Sequence, residues 1–430
     1  MHIKKYITRI VISLFFTVGV ISCGGEEETN SVSIQFISSV PESITLQGTG
    51  GAGLSETSNV QFKVKDPLGI SLEGQIVNFS LSTAVGGITL NPISAVTDIN
   101  GEVNTIVQSG SIPTPVRVIA SIPGTNITTQ SDQLAITSGV PDQNSTTAGS
   151  DILNPEGYDI SGTEITVTMR LGDAFNNPVP AGTSVSFTTE GGSIDGNCTT
   201  NTNGACSVTW RSQNPRPGAG GDGIGISTIL ATALGQENFT DNNANGVFDS
   251  GDVWDDIGEA YRDDNNNGNC DVGEFFEDIN SNGLCDGPDG LYNGNACAPG
   301  YSLCSAQKNI HVRDSFRISM STSLANITIA PDPGPSPASI NAAAGTIVTV
   351  NIADMNGNSM PGNSTIEVTV TNGEIQNNSA IPDKVLNTLS PRSFDVDIGT
   401  DGTSSSDGVL TIKLTSPDGH ISTLVRSISD

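Results

Sequence analysis

Aromatic side chains make up only 5% of this 430-residue chain, histidine occurs three times, and 17 Lys and Arg stand against 46 Asp and Glu. Each shortage excludes something. With a net charge of −29 and no basic stretch outside the first residues, the chain has no face on which to exchange counterions with nucleic acid. His311 and His420 are isolated and read as structural or surface residues, since a general base needs neighbours to orient it. There is no Cys-x-x-Cys to suggest a zinc or redox site, and no nucleophile elbow, phosphate loop or zinc-protease helix. Aromatic poverty also argues against a sugar-stacking platform. The expectation is a protein that is not an enzyme.

What the chain does have is acid, concentrated. Between Asp241 and Asp289 there are fourteen carboxylates and one cation, Arg262. Within that stretch, DNNANGVFDSGD, DDNNNGNCDVGE and DINSNGLCDGPD each place Asp at position one and Asn at positions three and five. Gly follows at six, Asp at nine and an acid at twelve. A hard cation such as Ca²⁺ takes about six to eight oxygens, and a short loop supplies them by turning alternate residues inward around a Gly that permits the sharp bend. The first loop's ligands are expected to be Asp241, Asn243, Asn245, the carbonyl of Val247, Asp249 and Asp252. The second's are Asp263, Asn265, Asn267, the carbonyl of Asn269, Asp271 and Glu274. The third's are Asp278, Asn280, Asn282, the carbonyl of Leu284, Asp286 and Asp289. One such match in a Gly- and Asn-rich chain is weak, because these are ordinary turn residues; three in tandem are strong. The spacing resembles EF-hands but the flanks do not. Only VWDDIGEAYR is long enough for a short helix, so the loops look more like the helix-poor repeats of dockerins and thrombospondin type 3 modules. With Asp at position twelve in loops one and three, the expected dissociation constants are about 10⁻⁴ to 10⁻³ M, loop two being the tightest.

Residues 1–22 carry Lys4, Lys5 and Arg9 and then an apolar run from Ile10 to Ile21 that is too short to span a bilayer, the pattern of a secretory signal. Val20-Ile21-Ser22-Cys23 resembles the lipobox of bacterial lipoproteins. That resemblance implies a lipidated Cys23, a tether over 23–31 and a membrane partner, with the outer membrane favoured because Gly24 and not Asp follows.

From Val32 onward, short segments such as VQFKVKD, IVNFSLS and VRVIASI alternate apolar and polar residues, the period of half-buried strands. The pattern then repeats. Residues 60–82, 167–189 and 348–370 each run from an apolar strand through Asp66, Asp173 or Asp354 and a turn to a Gly and a second strand. Residues 97–109, 200–212 and 405–416 are read as matching segments with Asn-Gly or Asp-Gly turns. These units resemble bacterial immunoglobulin-like domains of the invasin and intimin type. The resemblance implies an all-β chain of three tandem sandwiches of about 100 residues each: 32–140, 141–318 and a divergent third over 319–430. It also implies a spacer or adhesive role on a cell surface, and fold alone does not choose between them. The other reading is an accessory protein whose calcium-dependent ligand is a glycan or a surface protein.

In the first unit RVIASI and QLAIT are joined by a short loop; their counterparts in the second, STILATALG and KNIHVR, lie more than seventy residues apart. The acidic stretch is therefore an insertion, over 236–307, in the last hairpin of the middle unit. An insertion with no apolar core of its own needs ions or cross-links to be ordered. Six cysteines remain after Cys23, in an exported setting that favours disulfides. The expected pairs are Cys198 with Cys206 across a hairpin, Cys270 with Cys285 at position eight of two loops, and Cys297 with Cys304. Trp210 is expected in the core, and Trp254 as an anchor of the insertion.

Overall fold

The computed structural model describes residues 32–47, 55–111, 114–218, 221–243, 246–402 and 407–429. The signal, the tether and Cys23 lie outside the described residues, as does Asn245. Strands carry the fold, and the helical pieces among the described residues are three single 3₁₀ turns.

Alternation in the sequence becomes burial in the sandwich. In Thr57–Lys65, Val60, Phe62 and Val64 are fully buried while their neighbours face outward. Three cores form this way, over Ile34–Ile136, Ile165–Met320 and Ile329–Ile428. Each lies between two mainly antiparallel sheets, with parallel pairs of Ser43–Thr45 on Ala135–Thr137 and of Ser339–Asn341 on Ile421–Ser429. In the middle unit one sheet runs Thr146–Ser150, Glu164–Leu171, Ala205–Arg211, Ser193–Ile194. The other runs Asn197–Thr199, Ser184–Thr189, Ile226–Gly235, Ile310–Ser319.

The third unit corrects one sequence match. Asp407–Thr415 pairs with Thr365–Thr371 and Ile421–Ser429, whereas Glu102–Gln108 and Ala205–Arg211 lie in the opposite sheet of their units. The true counterpart of those two is Arg392–Gly399, on Thr346–Asp354. The repeated Asp-Gly and Asn-Gly turns misled, because such turns fit any tight connection.

The three Asp residues that end a strand share a task. One carboxylate oxygen of each accepts the N–H groups two and four residues on: Leu68 and Ile70 on Asp66, Phe175 and Asn177 on Asp173, Asn356 and Asn358 on Asp354. In the two buried ones the other oxygen takes an N–H from the segment that leads into the unit's first strand, Ser138 onto Asp173 and Thr322 onto Asp354. The repeated Asp thus fixes both a turn and the entry of the chain.

Between the second and third units the contact is wider. Asn154, fully buried, donates to Ser359 Oγ, Met360 O and Leu386 O. Glu156 accepts from Ser416 Oγ at 2.8 Å and from the Asp418 N–H at 2.9 Å.

Candidate metal centre in the inserted segment

Ile226–Gly235 pairs with Ile310–Ser319 without a break, from Ile226 opposite Ser319 to Gly235 opposite Ile310. The segment between leaves and returns at one end of this hairpin. It then folds back over the sheet, so that nine of the ten residues of Ile226–Gly235 are buried where alternation would expose half. Polar contacts hold it there. Arg262 pairs with Asp264 at 2.6 Å and donates to Thr189 O, Arg313 donates to Gly258 O, and Thr232 Oγ1 meets Glu277 Oε1.

All three loops carry the bonding frame their spacing implies, complete in the second. The N–H groups of Asn267 and Gly268, positions five and six, reach the two oxygens of Asp263 at 3.0 and 2.7 Å. Those of Asp264 and Asp271, positions two and nine, reach the two oxygens of Glu274 at 2.8 and 2.9 Å. The third loop repeats the first half, Asn282 and Gly283 onto Asp278. In the first, Gly246 bonds Asp241 while Asn242 and Asp249 bond Asp252. Gly246, Gly268 and Gly283 have φ of +76°, +78° and +77°, the left-handed conformation that this position demands. Among the described residues no three His, Cys, Asp or Glu side chains converge to hold a metal by themselves. The donor set is instead Asn amide, backbone carbonyl and carboxylate oxygen, which suits a hard cation.

No protein-family model matches the chain, and no curated protein matches it. Among solved structures, the D0-D1 domain of intimin is 20% identical over 47% of this chain and 89% of its own, with a TM-score of 0.22. Invasin, a bacterial integrin-binding protein, is 15% identical over 93% and 60%, with a TM-score of 0.24. The Escherichia coli adhesin FdeC is 12% identical over 93% and 97%, with a TM-score of 0.27. Likenesses this low carry no assignment, and the sandwich fold rests on the strand registers above.

The third loop departs from expectation at position twelve. Asp289 does not cap it; the N–H groups of Ile279 and Asp286, its positions two and nine, go to Glu259 at 2.9 and 3.1 Å. The cause is position eleven. Loops one and two have Gly251 and Gly273 there, with φ of +107° and +106°, and the chain turns back. Loop three has Pro288, whose fixed φ forbids that turn. Glu259 comes from VWDDIGEAYR, which is extended rather than helical because its backbone pairs with the loops: Glu259 N–H to Asp286 O, Arg262 N–H to Phe275 O, Glu277 N–H to Ala260 O.

The insertion also has the apolar core that the sequence seemed to deny it. Phe239, Phe248, Trp254, Tyr292 and Tyr301 surround one another, with Phe248 4.5 Å from Tyr292 and 5.2 Å from Trp254. Trp254 therefore packs inside the insertion. Few aromatics overall concealed their concentration here, and spacing in sequence gave no sign of it. The three disulfides form as expected, Cys198–Cys206, Cys270–Cys285 and Cys297–Cys304. Cys198–Cys206, however, links the two sheets of the sandwich, since Asn197–Thr199 and Ala205–Arg211 belong to different ones. Burial pushes several carboxyls up, Glu190 and Glu237 to about 7 and Asp142 to about 6; in all three, neighbouring carboxylates add to the rise and backbone N–H bonding opposes it.

Proposed function

We propose that this chain is a non-enzymatic cell-envelope lipoprotein, anchored through Cys23 at the outer membrane, that acts as a structural or adhesive surface module ordered by Ca²⁺ in its middle unit. The observation that carries the calcium reading is the pairing of one twelve-residue spacing with one bonding frame in successive loops. When bound, Ca²⁺ would supply the positive charge that fourteen carboxylates in one stretch otherwise lack. Oxygens of Asp241, Asn243, Asn245, Asp249 and Asp252 would hold the first ion, with Val247 O. Asp263, Asn265, Asn267, Asp271 and Glu274 would hold the second, with Asn269 O. Asp278, Asn280, Asn282, Asp286 and Glu259 would hold the third, with Leu284 O. The chain's own contribution is to fix these oxygens in place and to bond the loops to the sandwich face.

Calorimetric titration of the oxidised mature chain is expected to show calcium binding with dissociation constants of about 10⁻⁴ to 10⁻³ M. Chelator is expected to lower the melting temperature of the middle unit and to open the insertion to protease. No heat up to millimolar calcium sinks this reading. For the anchor, Cys23→Ser is expected to move the protein from the membrane fraction to the soluble one; continued sedimentation with membranes argues against lipidation.

A further inference from the structure

One end of the first unit is apolar at places where the other units are polar. Ser33 stands opposite Lys65, and Lys63 opposite Glu102, so the chain enters this sandwich beside two turns, 66–70 and 98–102. The turns lie close together: the Val64 N–H bonds Gly101 O, and a Cβ on Gly101 would meet that of Ser71 at 3.2 Å. Asp66 and Asp98 each hold their own turn, one oxygen accepting the N–H groups two and four residues on. That leaves Leu68, Ile70 and Ile99 at the tips, exposed to 78%, 60% and 75%.

The equivalent positions show what this end lacks. Four residues after its Asp, the second unit has Asn177 and the third Asn358. Their Nδ2 groups donate to Ile136 O and Ile224 O of the unit before, at 3.4 and 2.7 Å. Ile70 has nothing to donate in that place. At the tip of the other turn the second unit has Thr202, in a turn that Asn201 closes as Asp98 does here; the first unit has Ile99. A neighbour met through a polar joint does not fit this end, whereas an apolar medium does. The sequence sets what lies on this side. Cys23 is nine residues before Val32, and nine extended residues reach about 30 Å at most.

We propose that the end of the first unit bearing Leu68, Ile70 and Ile99 rests in the interfacial layer of the phospholipid bilayer that holds Cys23. This rests on the lipid anchor proposed above. Three side chains are too few to keep a protein on a membrane from free solution, but a tether makes their contact intramolecular, and they then set the protein's attitude. Charge does not help, since the chain carries −29 overall, so the contact comes from apolar burial. The unit's last strand, Ala135–Thr137, pairs with Ser43–Thr45, which follows Val40 at the end away from Ser33. A bilayer at the entry end therefore leaves the second unit to start on the side away from the membrane.

Lipid-borne quenchers test this on the full lipidated chain, reconstituted in vesicles of phosphatidylethanolamine and phosphatidylglycerol. A polarity-sensitive dye is placed on Asn100→Cys, exposed beside Ile99, and for comparison on Asn203→Cys, the counterpart in the second unit. The first dye is expected to shift to the blue and to be quenched by nitroxide-bearing lipid, and the second to do neither. Leu68→Asn, Ile70→Asn and Ile99→Thr combined bring in the residue types that other units carry there as Asn356, Asn177 and Thr202. This triple variant is expected to lose both changes while its circular dichroism and its retention on vesicles match the wild type. An unquenched first dye on an anchored chain overturns the contact and leaves the anchor standing. Quenching that persists in the triple variant overturns it as well, because tether length alone then brings the end close. So does a blue shift that grows with protein concentration in the absence of vesicles, which means that a second copy covers this end. A chain that vesicles do not retain overturns the anchor and this inference with it.

Discussion

Phe248→Ala is expected to unseat the insertion while leaving the middle sandwich folded. Phe248 is fully buried and its ring meets Phe239, Trp254, Tyr292 and Tyr301. Its backbone also bonds Ala296 O and the Ala298 N–H, so the residue joins the first loop to the closing turn around Cys297. Truncating a buried Phe costs about 3–5 kcal/mol, and here most of that loss falls on a segment otherwise held by part-buried polar bonds and two disulfides. The hairpin of Ile226–Gly235 with Ile310–Ser319 keeps its ten pairs, so the sandwich has its own support. Limited proteolysis followed by mass spectrometry reads the result: cuts should appear within 236–309 at protease levels that spare the wild type, and the flanking strands should stay intact. An insertion as resistant as the wild type would show that disulfides and loops alone hold it.

The second large effect is expected in the sandwich itself. Trp210 is fully buried, and its Nε1 donates to Gly191 O at 2.9 Å and to Thr189 Oγ1 at 3.2 Å. The ring lies over the bare backbone of Gly192, where a Cβ would come within 2.5 Å of it. Trp210→Ala opens a cavity between the sheets and removes the indole N–H from Gly191 O, which keeps Thr189 Oγ1 as a donor, and should destabilise the middle unit by about 3–5 kcal/mol in urea melts. Tryptophan fluorescence follows the change independently, because Trp254 is then the only tryptophan left. A loss below about 1 kcal/mol would mean that the surrounding strands collapse into the space.

Much of this was legible beforehand for plain reasons. Period-two strands, the strand-ending Asp residues and the hairpin that carries the insertion are local patterns, and local patterns survive folding. Position eight of two loops foretold Cys270–Cys285, because paired loops meet there. The failures came where distance in sequence hides closeness in space. Glu259 caps a loop nineteen residues further on, once Pro288 has removed the local alternative. The five aromatic rings of the insertion are scattered along its length, and only the folded chain brings them to one point. Arg392–Gly399 escaped notice because it lacks the turn signal by which its counterparts were recognised.

Asn154 and Glu156 have a mechanical meaning. Tilting the third unit against the second would pull Asn154 away from three acceptors and Glu156 away from two donors at once. Each buried group left bare costs about 1–3 kcal/mol. The joint therefore resists small torques and yields only past a threshold. A pull applied at the C-terminal end is passed to the insertion-bearing unit as if along a single lever, and whatever the third unit touches is felt at the middle one.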